Sequence, residues 1–313
     1  VQHNQDDVLT MSFSSDGNQL AAAGSDDLVR ILDVDSGQQV GVLQAHSGAA
    51  WDGAFSSDGS SIFTSGLNHQ LDVWDTRTWR SDTLIHNADS ISQIVPSPSA
   101  GWLAIVGRGL FIDGRRIDTG LVLMTPDDDT KLLVETDSAL SIGQDIVFSP
   151  NADYLAAVVD DDVWVWSTVD GEILYTFPTS EPLIENGLKW SPDGTQLALT
   201  SRSFNASSAT LWVWDMQTGD EVVKLVHDHS ISAVVWSDDD IQLATVYVSG
   251  DVLERTDVAV ESIQLWDVAD AAQGPLLLGH TDEVRLLEWS PDGQYLASGS
   301  YDGTVRVWDS QSG

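Results

Sequence analysis

The amino-acid sequence predicts an all-β fold built from seven copies of one short-strand unit, and three observations carry the prediction. An aromatic-Ser-x-Asp-Gly phrase recurs along the 313 residues, as in Phe13-Ser14-Ser15-Asp16-Gly17. A second phrase, Trp-Asp or a variant of it, follows each copy of the first. Between the two lie period-2 runs of Val, Ile, Leu and Trp, such as Thr304-Val305-Arg306-Val307-Trp308, which read as short strands joined by Asp-Gly turns. Self-similarity at a fixed period marks a repeat architecture, in which each unit buries its apolar faces against its neighbours.

Taken in order, the copies are as follows. The first pairs Phe13-Ser14-Ser15-Asp16-Gly17 with Leu32-Asp33, and the second Phe55-Ser56-Ser57-Asp58-Gly59 with Trp74-Asp75. The third is degenerate, with Pro96-Ser97-Pro98 and Met124-Thr125, and the fourth has Phe148-Ser149-Pro150 and Trp166-Ser167. The fifth restores both phrases in Trp190-Ser191-Pro192-Asp193-Gly194 and Trp214-Asp215. The sixth has Trp236-Ser237-Asp238 and Trp266-Asp267. The seventh has Trp289-Ser290-Pro291-Asp292-Gly293 and Trp308-Asp309. An outer strand is expected after each Trp-Asp phrase, as in Gln38-Gln39-Val40-Gly41-Val42-Leu43; six such segments exist, and the seventh copy stops at Gly313.

The stretch from Gly279-His280 through Ser298-Gly299-Ser300 and Asp302-Gly303 to Trp308-Asp309 resembles a WD40 repeat, and all seven copies align to it. The resemblance implies one domain over residues 1–313. That domain is a seven-bladed β-propeller of four-stranded antiparallel blades around a channel, the last blade lacking its outer strand. It is identified as a non-catalytic scaffold or recognition module, expected to be cut from a longer chain. The resemblance also implies a buried Trp, Ser/Thr, His and Asp tetrad in each blade. Blade 7 has all four in Trp308, Ser298, His280 and Asp302. Blade 2 has Trp74, Thr64 and His46, with Asn68 in the Asp place. Blade 3 keeps His86 and Asp118 beside Ile105 and Met124, and blade 4 keeps Asp160 and Trp166. Blade 6 keeps His227, Thr245 and Trp266, blade 5 little beyond Trp214, and blade 1 His3 and Asp26 beside Ala22 and Leu32. A buried carboxylate needs partners, so patchy loss assigns most blades to apolar packing.

Composition limits the partners. There are 49 acidic residues, 40 of them Asp, against 13 basic ones of which three are Lys, for a formal charge of −36. Such a chain repels phosphate backbones and anionic lipid, so nucleic acid is not an expected partner and no membrane insertion is expected. An extracytoplasmic or salt-rich setting fits the acidic, Lys-poor, Cys-free composition. Ca²⁺ chemistry is raised by Asp127-Asp128-Asp129, Asp160-Asp161-Asp162 and Asp238-Asp239-Asp240, but none has EF-hand spacing and turns account for them.

No Walker A loop, G-x-S-x-G elbow or H-E-x-x-H occurs, and Gly107-Arg108-Gly109 lacks the third glycine of a dinucleotide site. No catalytic residue, metal ligand set or cofactor is expected. His3, His46, His86, His227 and His280 fall in the structural His slot, which leaves His227-Asp228-His229 as a weak metal candidate. Trp164 and Trp212 offer a stacking platform or core, and strand alternation favours core. Asn205-Ala206-Ser207 is a glycosylation sequon in form.

The departures from the repeat are informative. Nineteen residues separate Phe13 from Leu32, Phe55 from Trp74 and Trp289 from Trp308, but 28 separate Pro96 from Met124, 24 Trp190 from Trp214 and 30 Trp236 from Trp266. Aligning both ends puts each excess between the second and third strands of blades 3, 5 and 6. Those insertions hold Arg108, Arg115, Arg116, Arg202 and Arg255, and Arg285 is expected on the same face. With Trp51, Leu67, Phe111, Tyr247 and Tyr301 as anchors, they form an expected surface for a protein or peptide bearing acidic groups, docked on a monomeric propeller. The competing account has each Arg neutralise nearby Asp. Two other function classes are kept: a sensor or tethering domain of a larger protein, and a propeller enzyme working at the channel mouth.

The charge yields a first prediction. Repulsion among 49 carboxylates destabilises the fold in dilute buffer and is screened as salt rises. The melting temperature is expected to climb between dilute buffer and about 1 M KCl, where the Debye length is about 3 Å; calorimetry along a KCl series checks it.

Overall fold

The computed structural model describes residues 8–44, 46–99, 101–112, 115–125, 130–136, 142–160, 162–179, 183–201, 208–227, 230–249 and 260–313. They form seven antiparallel sheets, each a meander in sequence order. Blade 1 comprises Val8–Phe13, Gln19–Gly24, Val29–Asp33 and Gln39–Leu43, and blade 2 Ala50–Phe55, Ser61–Gly66, Leu71–Asp75 and Ser81–Ile85. Blade 3 comprises Ser90–Pro96, Leu103–Ile112, Arg115–Met124 and Thr130–Thr136, and blade 4 Ile142–Phe148, Tyr154–Val159, Asp162–Ser167 and Ile173–Pro178. Blade 5 comprises Leu183–Trp190, Gln196–Ser201, Ala209–Asp215 and Glu221–His227, and blade 6 Ser230–Trp236, Gln242–Ser249, Val260–Asp267 and Ala272–Leu277. Among the described residues blade 7 has three strands, Val284–Trp289, Tyr295–Ser300 and Val305–Asp309, as expected for this blade. No helix long and apolar enough to cross a membrane occurs among the described residues.

The two repeated phrases are turn chemistry. Ser14 Oγ donates to Asp16 Oδ1 at 2.7 Å and accepts the Gln19 amide at 2.9 Å, while Gly17 takes the left-handed φ of 70° that closes the turn. The same hydroxyl–carboxylate pair recurs at Ser56–Asp58, Ser191–Asp193, Ser237–Asp239 and Ser290–Asp292. In the second phrase the Asp caps the turn into the fourth strand. Asp75 Oδ1 accepts the amides of Arg77 and Thr78 at 3.0 and 2.8 Å, and Asp215 and Asp309 repeat the pattern.

The chain divides into two compact units: residues 1–143 with 152–155 and 165–174, and residues 144–151 with 156–164 and 175–313. In the first, the innermost strands of blades 1, 2 and 3 pack in succession. Ile31, Leu43, Phe55 and Ile62 join blades 1 and 2, and Leu71, Ile85, Ile94, Ile105 and Leu110 join blades 2 and 3. Asp52 crosses the second junction to accept the Ile94 amide at 2.9 Å; burial pushes its pKa up, against the amides of Ile94 and Gly53 and the Thr10 hydroxyl. In the second unit, Leu211 and Val213 of blade 5 pack with Trp236 and Trp266 of blade 6, and Val246 and Leu265 with Trp289 and Leu296 of blade 7. Trp236 Nε1 donates to Lys189 O at 3.2 Å across the first of these junctions.

The blade 7 tetrad is a continuous chain. Trp308 Nε1–H donates to Ser298 Oγ at 2.8 Å, the Ser298 hydroxyl to His280 Nε2 at 2.7 Å, and His280 Nδ1–H to Asp302 Oδ2 at 2.8 Å. The Thr304 hydroxyl, followed by His280 and the backbone, holds the Asp302 carboxyl below its ordinary pKa.

Elsewhere the tetrad expectation needs correction. In blade 2, Trp74 Nε1 reaches Thr64 Oγ1 at 3.0 Å and His46 Nδ1 pairs with Asn68 Oδ1 at 2.7 Å, but the carboxylate comes from Asp72, 3.7 Å from the same nitrogen. Desolvation drives the His46 pKa down. In blade 1, Asp26 is not isolated: Arg30, one turn of sequence later, pairs with it. In blade 3, His86 and Asp118 are exposed and hold no buried network, because the blade is filled instead by Ile105 and Met124. In blade 6, His227 Nδ1 meets Tyr247 Oη at 3.0 Å while Trp266 Nε1 donates to Thr245 Oγ1 at 2.9 Å.

Two predictions follow from these networks. Ser298→Ala strips Trp308 and His280 of their shared partner and is expected to cost about 1–3 kcal/mol in a denaturant titration. Ser65 is equally buried but its hydroxyl has no hydrogen-bond partner among the described residues, so Ser65→Ala is expected to change stability by less than about 0.5 kcal/mol or to raise it. The second concerns pH. Asp302 binds a proton less readily folded than unfolded, so its contribution is complete above 3.8, the ordinary carboxyl value, and is lost as pH falls through its own depressed value. Asp302→Asn is therefore expected to melt below the parent at neutral pH, with a gap that narrows as pH drops below 3.8; paired melting curves across pH test it.

Candidate protein-interaction surface

The blade 3 excess falls between the second and third strands, as expected, but it lengthens the hairpin rather than forming a loop. Leu103–Ile112 and Arg115–Met124 are ten residues each, where the matching strands of blade 1 have six and five. Leu110 pairs with Ile117 and both are buried, whereas Phe111, paired with Arg116, is 52% exposed. The hairpin thus has an apolar side that joins the core shared with blade 2 and a side that faces solvent.

Its base is pinned to the segment entering blade 3. The Ala88 amide donates to His69 O at 3.1 Å in the turn of blade 2, and the Asp89 amide to Arg108 O at 2.7 Å. Arg116 forms ion pairs with Asp89 and Asp118, and Arg115 with Glu135. Gly109 is required here: it takes a φ of 61°, and a Cβ would run into the Asp89 carboxylate. Gly107-Arg108-Gly109 is therefore a packing device for this junction. The blade 2 turn, the 87–89 segment and the hairpin form one continuous stretch of surface, with Leu67 49% exposed on the turn.

Other expected site residues divide. Arg108 is exposed on the hairpin. Arg285 pairs with Glu283 at 2.5 Å, and its guanidinium lies 5.5 Å from the ring of exposed Tyr301 in blade 7. Tyr247 corrects its assignment as an anchor: it is 7% exposed, its hydroxyl meets His227, and desolvation pushes its pKa up. Both faces of Gln242–Ser249 are covered, Tyr247 packing with Ile231 and Trp266 and Val246 with Leu265 and Leu296, which the sequence position beside an insertion concealed. Arg202, Arg255 and the side chain of Trp51 lie outside the described residues, as do His3, Asp127–Asp129, Asp161, His229 and the 205–207 sequon.

The account in which Arg neutralises nearby Asp holds for Arg115, Arg116 and Arg285, each of which has an acidic neighbour. Exposed pairs of this kind contribute about 0–1 kcal/mol, so exchanging one for a partner's carboxylate is inexpensive. Among the described residues, no group of three or more His, Asp and Glu is arranged to hold a metal ion. The Asp238–Asp240 turn serves the backbone instead, with Asp240 Oδ1 accepting the Asp193 amide at 2.9 Å. Trp212 is core, stacked 6.3 Å from Trp214.

Comparison with known proteins agrees with this architecture. The profile of the WD domain, G-beta repeat family matches residues 1–33, 37–75 and 274–309. The chain is 24% identical over 316 aligned residues to protein tipD of Dictyostelium discoideum, covering 99% of this chain and 41% of that protein. It is 27% identical over 166 residues to cell division cycle 20.5, cofactor of APC complex, of Arabidopsis thaliana, covering 52% of this chain and 33% of that one. The chain thus spans well under half the length of these relatives. Among solved structures, the β-propeller domain of Myceliophteria thermophila Cps50 (Swd1) superposes with a TM-score of 0.56 at 16% identity, over 98% of this chain and 97% of that one. Seven meander sheets, the turn chemistry of both phrases and the matched segments together show a β-propeller fold that carries WD repeats at residues 1–33, 37–75 and 274–309.

Proposed function

We propose that the chain is a recognition module that docks a protein or peptide on the surface formed by the blade 2 turn and the blade 3 hairpin. The observation that carries the reading is the hairpin itself. It is lengthened, pinned at Gly109 and Asp89, and it presents Phe111, Arg108, Arg115 and Arg116 outward while burying Leu110 and Ile117. A rigid support with an exposed aromatic residue and fork-shaped cations is what binding energy concentrates on in protein interfaces. Leu67 adds apolar area, and a partner carboxylate or phosphate replaces Asp89, Asp118 or Glu135 at the guanidinium groups. Arg285 with Tyr301 is proposed as a separate contact of the same chemistry. The similarity to cell division cycle 20.5, cofactor of APC complex, supports a protein partner for this chain.

The test is proximity crosslinking of a partner to the native protein, followed by capture with variants. Arg115→Glu with Arg116→Glu and Phe111→Ser are each expected to abolish capture, with melting temperature held because exposed changes cost under about 0.5 kcal/mol. Arg77→Glu with Arg80→Glu, at the opposite end of the blade 2 sheet beyond Trp74-Asp75, is expected to leave capture intact. Loss of capture in that pair alone overturns the assignment.

A further inference from the structure

The turn between the first and second strands of a blade packs on the same turn of its neighbour. Gly59 lies against Ser15 and Gly293 against Asp239, so closely that a Cβ on either glycine would press on the facing side chain. The Asp193 amide likewise reaches Asp240 Oδ1 at 2.9 Å. The degenerate phrase of blade 3 changes this turn. Trp102 takes the place that Ser61 has in blade 2: its amide donates to Ser97 Oγ at 3.2 Å, as that of Ser61 does to Ser56 Oγ at 3.0 Å. By the same count Ser99 stands where blade 2 has Asp58. Between the turns of blades 2 and 3 a pocket opens, at the other end of Leu103–Ile112 from the hairpin tip. It holds about 390 Å³ of empty space, counting the part open to solvent, which is at the low end for small-molecule sites.

Phe63 and Trp102 supply the aromatic walls. Lys131 fixes the Trp102 ring without lining the pocket. Its ammonium lies 4.2 Å from the ring centre and donates to Thr168 O at 3.1 Å and to Val169 O. The polar lining is of two kinds. Asp58 is already engaged: its carboxylate accepts the Ser56 hydroxyl at 2.6 Å and the amide and hydroxyl of Ser60 at 3.0 and 2.9 Å. Those bonds use most of its roughly four lone-pair sites. By contrast, the hydroxyls of Ser57, Ser61 and Ser99 and the Trp102 indole N–H have no hydrogen-bond partner among the described residues.

We propose that this pocket binds a single neutral sugar ring. Serine hydroxyls both donate and accept, as sugar hydroxyls do, so Ser57, Ser61 and Ser99 can be satisfied in either sense while the indole N–H takes a sugar oxygen. The C–H face of the ring covers the aromatic wall. Other ligand classes fit less well. An anion meets Asp58 and a chain of charge −36, with no cation in the described lining to hold it. An organic cation finds Asp58 largely taken. A wholly apolar ligand strips water from four polar groups and returns no hydrogen bond. The pocket is independent of the blade 3 hairpin tip, and its failure leaves the reading above untouched.

The probes are the methyl glycosides of glucose, galactose and mannose, titrated into isotope-labelled protein and followed by nitrogen–proton NMR, with methylguanidinium as the cationic control. The readout is the Trp102 indole resonance, assigned by its loss in Trp102→Phe. At least one glycoside is expected to shift it saturably, with a Kd in the millimolar range, while the Trp308 indole in the blade 7 tetrad stays in place. Ser57→Ala with Ser99→Ala is expected to weaken that glycoside by about tenfold, as two hydrogen bonds are lost. An unmoved Trp308 resonance reports that the variant is folded. The proposal is overturned if none of the three glycosides gives a saturable shift in the parent protein. Methylguanidinium binding as tightly as the best glycoside also overturns it, by making Asp58 the source of attraction. So does full glycoside affinity in the double serine variant.

Discussion

A twisted sheet of three or four short strands has two faces that water must not reach, and it contains nothing with which to cover them. Burial between consecutive blades is therefore the constraint on which the remaining structure depends. The cores obey it: each cluster draws on two neighbouring sheets, blades 1 and 2, 2 and 3, 5 and 6, or 6 and 7. Polar groups at these junctions are tolerated where they span them, as Asp52 does in holding the Ile94 amide. The tetrads are additions to this apolar frame. Blade 3 has none and is nonetheless filled by Ile105, Val122 and Met124.

Acidic composition is accommodated because much of the Asp is structural at turns. The carboxylates of Asp16, Asp58 and Asp292 accept a hydroxyl two residues upstream and backbone amides downstream, which holds their pKa values below the ordinary one. Those hydrogen bonds stay local and solvent-facing, so the charge is tolerated without burial. Two of the cations, by contrast, tie separate elements together. Lys131, one of three lysines, donates to Thr168 O at 3.1 Å and to Val169 O while lying 4.2 Å from the Trp102 ring. Arg116 ties the blade 3 hairpin to Asp89.

The surface proposed at blade 3 arises from a departure from the repeat. Blade 3 has more chain than the repeat requires, and the extra residues extend a hairpin whose inner side is core and whose outer side is exposed. A rigid repeat tolerates variation at its margins, and loops and hairpins there are where binding concentrates on such scaffolds.

Much was legible in the sequence because repetition exposes it. The seven copies, the hydroxyl–carboxylate turns, the site of the blade 3 insertion and the His280–Ser298–Trp308–Asp302 chain all rest on local spacing, and local hydrogen bonding enforces that spacing. What only the tertiary structure decided is which residues of different strands meet. Asp72 supplies the carboxylate that Asn68 lacks, Arg30 answers Asp26, Tyr247 turns inward to His227, and His86 and Asp118 stand in solvent though they occupy network positions. Each depends on strand register and on the neighbouring sheet. Along the chain a residue's slot in the repeat is visible, but whether that slot is buried is set by packing between sheets, which spacing within one copy does not encode.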